Sequence, residues 1–153
     1  MRSRIHAVVL PGEAGDFNDE IKQIYRELGR SLGDTVAGEC APAIDMYETD
    51  DSVEIAVDLP AVDASTIRVL VKGSALLVAG EKSARRGRGD SSFHLVERGY
   101  GRFARVIRLS VPCDTARARA LLAEGELRIS VPKLADRRGR TMRISVQTEN
   151  RPS

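Results

Sequence analysis

The sequence predicts an all-β fold: an antiparallel β-sandwich of short strands, preceded by one amphipathic helix and followed by an extended tail. Three observations predict it. From Pro42 onward the apolar residues recur with period two, in short runs. Turn residues separate the runs at Asp50-Asp51, Pro60, Gly73, Gly99 with Gly101, Pro112 and Gly125. No long helical pattern intervenes between them, which disfavours a parallel α/β sheet.

The head of the chain supplies the helix. Phe17, Ile21, Ile24, Tyr25, Leu28 and Leu32 follow a helical spacing. At 100° per residue they fall within an arc of about 100°, one apolar stripe. Asp16 is a candidate N-cap, Asp19 and Glu20 suit the positive end of the helix dipole, and Gly33 is a candidate stop. The segment from Ala37 to Pro42 reads as a linker.

The strands follow in order. Ile44 and Met46 alternate with Asp45 and Tyr47, and Val53, Ile55, Val57 and Leu59 alternate with Glu54, Ala56 and Asp58. Ile67, Val69 and Val71 come next, then Leu77-Val78-Ala79 after the Gly73-Ser74 turn. Phe103, Ile107 and Leu109 make a further run, and Leu127, Ile129 and Val131 another. Ser83 to Ser92 is a polar loop rich in Gly and Arg. Leu134 to Thr141 is a basic linker before one last short strand, Met142 to Val146, and a solvated end.

Composition bounds the function. The chain has 153 residues, the length of one domain with tails, and its 42% hydrophobic content is too high for a disordered polymer. No apolar run approaches the roughly 18 residues a membrane-spanning helix needs. The run Ile5 to Leu10 is too short for a signal peptide, so the expected compartment is the cytoplasm. Cys40 and Cys113 have no metal or redox spacing, and His6 and His94 share no motif. No metal site, catalytic residue or cofactor is therefore expected. Charge divides the chain in three: a net of −2 over residues 1–41, zero over 42–132 and +4 over 133–153.

The middle of the chain resembles the α-crystallin domain of the small heat-shock protein family, in its bacterial and plant form. The resemblance is carried by an ordered set of segments. They are Pro42-Ala-Ile-Asp-Met-Tyr-Glu, Val57-Asp58-Leu59-Pro60, Val71-Lys72-Gly73, Leu76 and Gly80-Glu81-Lys82. Glu97-Arg98, Tyr100 to Arg105 and Leu109 follow. Ala120 to Leu127 with Val131-Pro132-Lys133 forms an A-x-x-x-x-G-x-L…PK pattern, and Ile144-Ser145-Val146 looks like the family's C-terminal I-x-I/V anchor. The family's usual Gly after Asp-Leu-Pro is here Ala61, so that turn need not adopt a positive φ. Glu126 stands where an apolar residue is common, and Val146 is one methylene smaller than Ile.

The resemblance implies an immunoglobulin-like antiparallel β-sandwich and three parts: an N-terminal arm (1–41), an α-crystallin domain (42–133) and a C-terminal extension (134–153). It implies that Ile144 and Val146 dock into an edge groove of a neighbouring subunit, lined by Ile67, Val69, Val71, Ala120 and Leu122. Arg105 shares parity with its apolar neighbours and needs a partner, since an unpaired buried charge is costly; the resemblance places it at a dimer interface, paired with acidic groups. Phe93, Leu95 and Glu97 lie on an extra strand that pairs with the partner's sheet edge.

Other motifs carry nothing. Arg88-Gly89-Asp90 is a chance tripeptide of an arginine-rich loop. Gly80-Glu81-Lys82-Ser83 lacks the full phosphate-loop spacing, and Gly87-x-Gly89 lacks a third glycine. The basic tail has no interleaved aromatics, so nucleic acid is not an expected partner. The function implied is an ATP-independent holdase chaperone whose partners are itself, as a dimer-based oligomer, and unfolding client proteins. The stripe Phe17, Ile21, Ile24, Tyr25, Leu28 and Leu32, with no evident partner in the chain, is the expected client-binding surface. A structural β-sandwich scaffold without client binding is the alternative.

Overall fold

The computed structural model describes residues 17–32, 40–84, 87–134, 141 and 143–148. Helix α1 spans Asn18–Leu32, with Asp19 and Glu20 in its first turn. The strands are β1 (Ile44–Glu48), β2 (Ser52–Asp58), β3 (Arg68–Lys72), β4 (Ala75–Lys82), β5 (Gly101–Arg108), β6 (Arg119–Ala123) and β7 (Glu126–Pro132). They form a four-stranded sheet, β1-β2-β7-β6, and a three-stranded sheet, β3-β4-β5, with every pairing antiparallel. Asp16 and Gly33, the two expected helix boundaries, lie outside the described residues.

The period-two pattern becomes packing in β2, where Val53, Ile55 and Val57 are buried and their neighbours are not. They meet Leu76, Val78, Phe103 and Ile107 from the other sheet in a single core. Gly80 makes room there: a Cβ on it would stand 2.7 Å from the Phe103 ring. β4 is different from the other strands. Seven consecutive residues, Ala75 to Glu81, are buried. Leu76 and Val78 face the sandwich core, whereas Ala75, Leu77 and Ala79 face outward and are covered by α1 through Phe17, Ile24 and Leu28.

That covering corrects the expectation of an unpartnered stripe. The helix docks on the outer face of its own chain's three-stranded sheet. A strand covered on both faces reads as a continuous apolar run, and Ala75 to Ala79 is one.

Two turns shape the segments that carry the family resemblance. Glu124 (φ 52°) and Gly125 (φ 76°) form the two-residue β6–β7 hairpin, with Ala123 opposite Glu126. The Gly125 carbonyl accepts from the Leu59 amide at 2.8 Å, and a Cβ on Gly125 would stand 3.1 Å from Pro60 Cα. The Val57–Pro60 and Ala120–Leu127 segments therefore meet in space, and the glycine permits both the φ and the approach.

Ala61 adopts φ 60°, so this turn takes a positive φ although its residue is not glycine. The chain must reverse immediately after the buried Leu59, and the Val62 amide closes back on the Leu59 carbonyl at 3.4 Å. The backbone keeps a conformation suited to glycine even though a methyl group is present. Ala61→Gly is expected to raise stability by about 0.5–1 kcal/mol, read as a higher denaturant midpoint at unchanged slope. An unchanged or lower midpoint would contradict the strain.

The last short strand expected before the chain's end is absent, and the segment expected to pair with a partner subunit forms no strand within the single chain. Residues 143–148 carry no strand, and Met142 lies outside the described residues. Phe93 to Arg98 carries none either, since none of the described strands pairs with it.

Candidate functional site

The sandwich has two kinds of edge. At one side β5 is tied to the region of β1: the Arg105 Nη1 donates to the Pro42 carbonyl (2.6 Å), the Cys40 amide donates to the Arg102 carbonyl (3.2 Å), and the Ser110 hydroxyl donates to Glu48 (3.2 Å). The remaining edge strands, β3 and β6, accordingly lie at the other side, each with one flank unpaired within the chain.

Register places the expected groove residues on the inward side of those two edges. Val69 and Val71 stand opposite Val78 and Leu76, while Ala120 and Leu122 stand opposite Ile129 and Leu127. Ile67, Val69 and Leu122 are half-buried against the core; Val71 and Ala120 are exposed. The expected anchor residues are nowhere near burial: Ile144 is 88% exposed and Val146 is 91% exposed. The chain does not dock its own anchor.

Arg105 lies opposite the core-facing Val78, so it does share the inward direction read from parity. Within the single chain its partner is the buried Pro42 carbonyl. A charged donor on a carbonyl is a strong hydrogen bond, and it joins the two sheets at this edge. Phe93, Leu95 and Glu97 are exposed, as is Val96.

The motif lysine has a local role. The Lys133 ammonium donates to the Thr49 carbonyl (2.6 Å) and pairs with Glu48 (3.0 Å), closing the β1–β2 hairpin onto the end of β7. The Lys133 ammonium's hydrogen bond to Glu48 holds that carboxyl below the usual carboxylate range. Glu126, the departure from the family's apolar preference, is satisfied by Arg128 Nε at 2.6 Å.

A third surface escaped the sequence reading. On the outer face of β3-β4-β5, α1 lies between two cations. Lys72 pairs with Glu20 at 2.7 Å and stands 5.7 Å from the centre of the Phe17 ring. Arg102 stands 5.5 Å from the centre of the Tyr25 ring. The Lys72 hydrogen bond draws the Glu20 carboxyl below its ordinary value. Ile21 and Tyr25 are half-buried here; the side chain of Leu32 lies outside the described residues. The unbroken Ala75–Ala79 run was the available signal for this face.

Among the described residues no group of three or more His, Cys, Asp or Glu side chains is placed to hold a metal ion, and no helix is long and apolar enough to cross a membrane.

Residues 45–147 match the family described as Hsp20/alpha crystallin. A "16.9 kDa class I heat shock protein 3" from Oryza sativa subsp. japonica is 31% identical over 120 residues, which cover 77% of this chain and 80% of that one. The "Small heat shock protein C2" of Rickettsia felis is 29% identical over 106 residues, 69% of this chain and 68% of that one. Among solved structures, heat shock protein 16.0 from Schizosaccharomyces pombe superposes with a TM-score of 0.61 at 26% identity, covering 71% of this chain and 99% of that one. A small heat-shock protein from Xylella fastidiosa, described as having a distinct high order structure, gives 0.60 at 27% identity over 70% of this chain and 98% of its own.

Proposed function

The chain belongs to the Hsp20/alpha crystallin family of small heat-shock proteins, chaperones of the stress response and not enzymes, and from that premise we propose that it is an ATP-independent holdase. It binds partly unfolded proteins and keeps them from aggregating. The observation that supports this most strongly is the apolar surface the single chain leaves open: Phe93, Leu95, Val96, Leu121, Ile144 and Val146 are all exposed. Such surface is a liability on a lone domain, and assembly or client capture relieves it.

In this reading residues 1–41, 42–133 and 134–153 act as arm, sandwich and extension. Ile144 and Val146 enter the groove of another copy at Ile67, Val69, Val71, Ala120 and Leu122. Phe93, Leu95 and Glu97 add a strand to a partner's sheet edge near Arg105, giving a dimer as the building block. The α1 stripe meets clients when it leaves its sheet. The setting is the cytoplasm, a reading supported by two free thiols, Cys40 and Cys113.

One observation favours the alternative of a scaffold without client binding: the chain covers Phe17, Ile24 and Leu28 by itself. Size-exclusion chromatography after heating with a thermolabile enzyme separates the two readings. The holdase gives one soluble high-mass peak containing both proteins. A scaffold leaves the client in the pellet and itself at its original mass.

A further inference from the structure

Glu81 is the only buried charged residue among the described side chains, 1% exposed, and neither carboxylate oxygen has a hydrogen-bond partner. It shares a strand face with Leu77 and Ala79, the residues that α1 covers. Directly opposite on β5 stands Arg102, whose guanidinium lies over Tyr25 and whose Nε is itself buried without a partner. An unpaired buried carboxylate is costly, and here the cost sits within an interface between a helix and a sheet.

The direction of α1 shows where that cost falls. Its start meets Lys72, beside the beginning of β4, and Tyr25 meets Arg102, beside the end of β4. The helix therefore runs along β4 in the same sense. The rise from Phe17 to Leu28 is about 16 Å, against about 20 Å from Ala75 to Glu81, which brings the Leu28 turn to the Glu81 end. The stripe offers an aliphatic side chain at that turn.

We propose that this face is a helix-docking site, held in cis by α1, and that it takes in trans an amphipathic helix of a partly unfolded protein with a lysine or arginine at the turn that meets Glu81. The proposal rests on the holdase reading and specifies one of its surfaces. The face already holds an amphipathic helix through three kinds of contact: an apolar stripe on Ala75, Leu77, Ala79 and Val106, an acid at Lys72, and an aromatic ring at Arg102. A second copy's α1 would leave Glu81 as unmet as the first does, so a basic helix from another protein is the better occupant. A charge-assisted hydrogen bond in a dry site supplies the preference.

The test uses the full chain and two fluorescent peptides, one with the sequence of residues 17–32 and one with the same sequence carrying Leu28→Arg. Binding is followed by anisotropy. The arginine peptide is expected to bind about tenfold more tightly, the effect of one charged hydrogen bond. The preference should vanish in Glu81→Gln, with Glu81→Leu as the second variant if the first does not fold. Failure of both peptides to bind, equal binding, or a preference that survives loss of Glu81 overturns the docking site. Client protection by the unaltered chain is measured alongside. Protection without a peptide preference overturns the site alone, and a preference without protection overturns the holdase reading while the site stands.

Discussion

Replacing Ile144 and Val146 together by glycine is expected to reduce the assembly to dimers. The two side chains are 88% and 91% exposed on the single chain, so nothing within the subunit is lost with them. Both point to one face of an extended segment, since they are two residues apart. Burying each in a neighbour's groove contributes about 1.5–3 kcal/mol. Losing both weakens each contact by about 3–6 kcal/mol, roughly two to four orders of magnitude in its dissociation constant. The groove at Val69, Val71, Ala120 and Leu122 then loses both of its apolar plugs. Sedimentation velocity reads the result directly. A shift to dimer mass with an unchanged far-ultraviolet spectrum supports the assignment, and a variant that sediments with the parent refutes it.

The second large effect is expected from Ile24→Ser combined with Leu28→Ser. Both residues are buried against Leu77, Ala79 and Val106. Large-to-small changes at buried aliphatic positions cost about 2–5 kcal/mol each. That exceeds what a single helix on one sheet face can hold, so α1 undocks while the sandwich stays folded on Leu76, Val78 and their partners. Hydrogen exchange should show loss of protection confined to α1 amides and the facing strand, and an apolar dye should bind to the uncovered Leu77 and Val106. Unchanged α1 protection would mean that the helix is held by something other than this stripe.

Much of the fold was legible because β2 and β7 alternate between a covered and an open face. β2, with alternate residues buried, and β7, with Leu127, Ile129 and Val131 buried, print their geometry directly into the sequence. The helix was legible from a stripe that begins at Phe17, one residue before the first helical residue. Its destination was not. Periodicity names the apolar face of an element but not the surface that covers it. The clue lay in the partner, where β4 lacks alternation because it packs on both sides. The positive φ at Ala61 was not legible in the sequence, because a methyl group only disfavours that conformation, and the demand of the turn outweighs it. The segments Phe93–Arg98 and 143–148 carry strand-like alternation or apolar content without strands, because a strand requires a partner edge that this chain does not provide to them. Parity gave the direction of Arg105 but not its partner within the chain, since parity says nothing of a backbone carbonyl 63 residues away in sequence.

Capture of unfolding proteins without nucleotide is tested most directly by light scattering of a thermolabile enzyme, heated with an equal number of subunits of this protein, with and without ATP. The expected result is suppression of scattering to the same extent in both samples. Scattering equal to that of the enzyme alone, or protection that appears only when ATP is present, contradicts it.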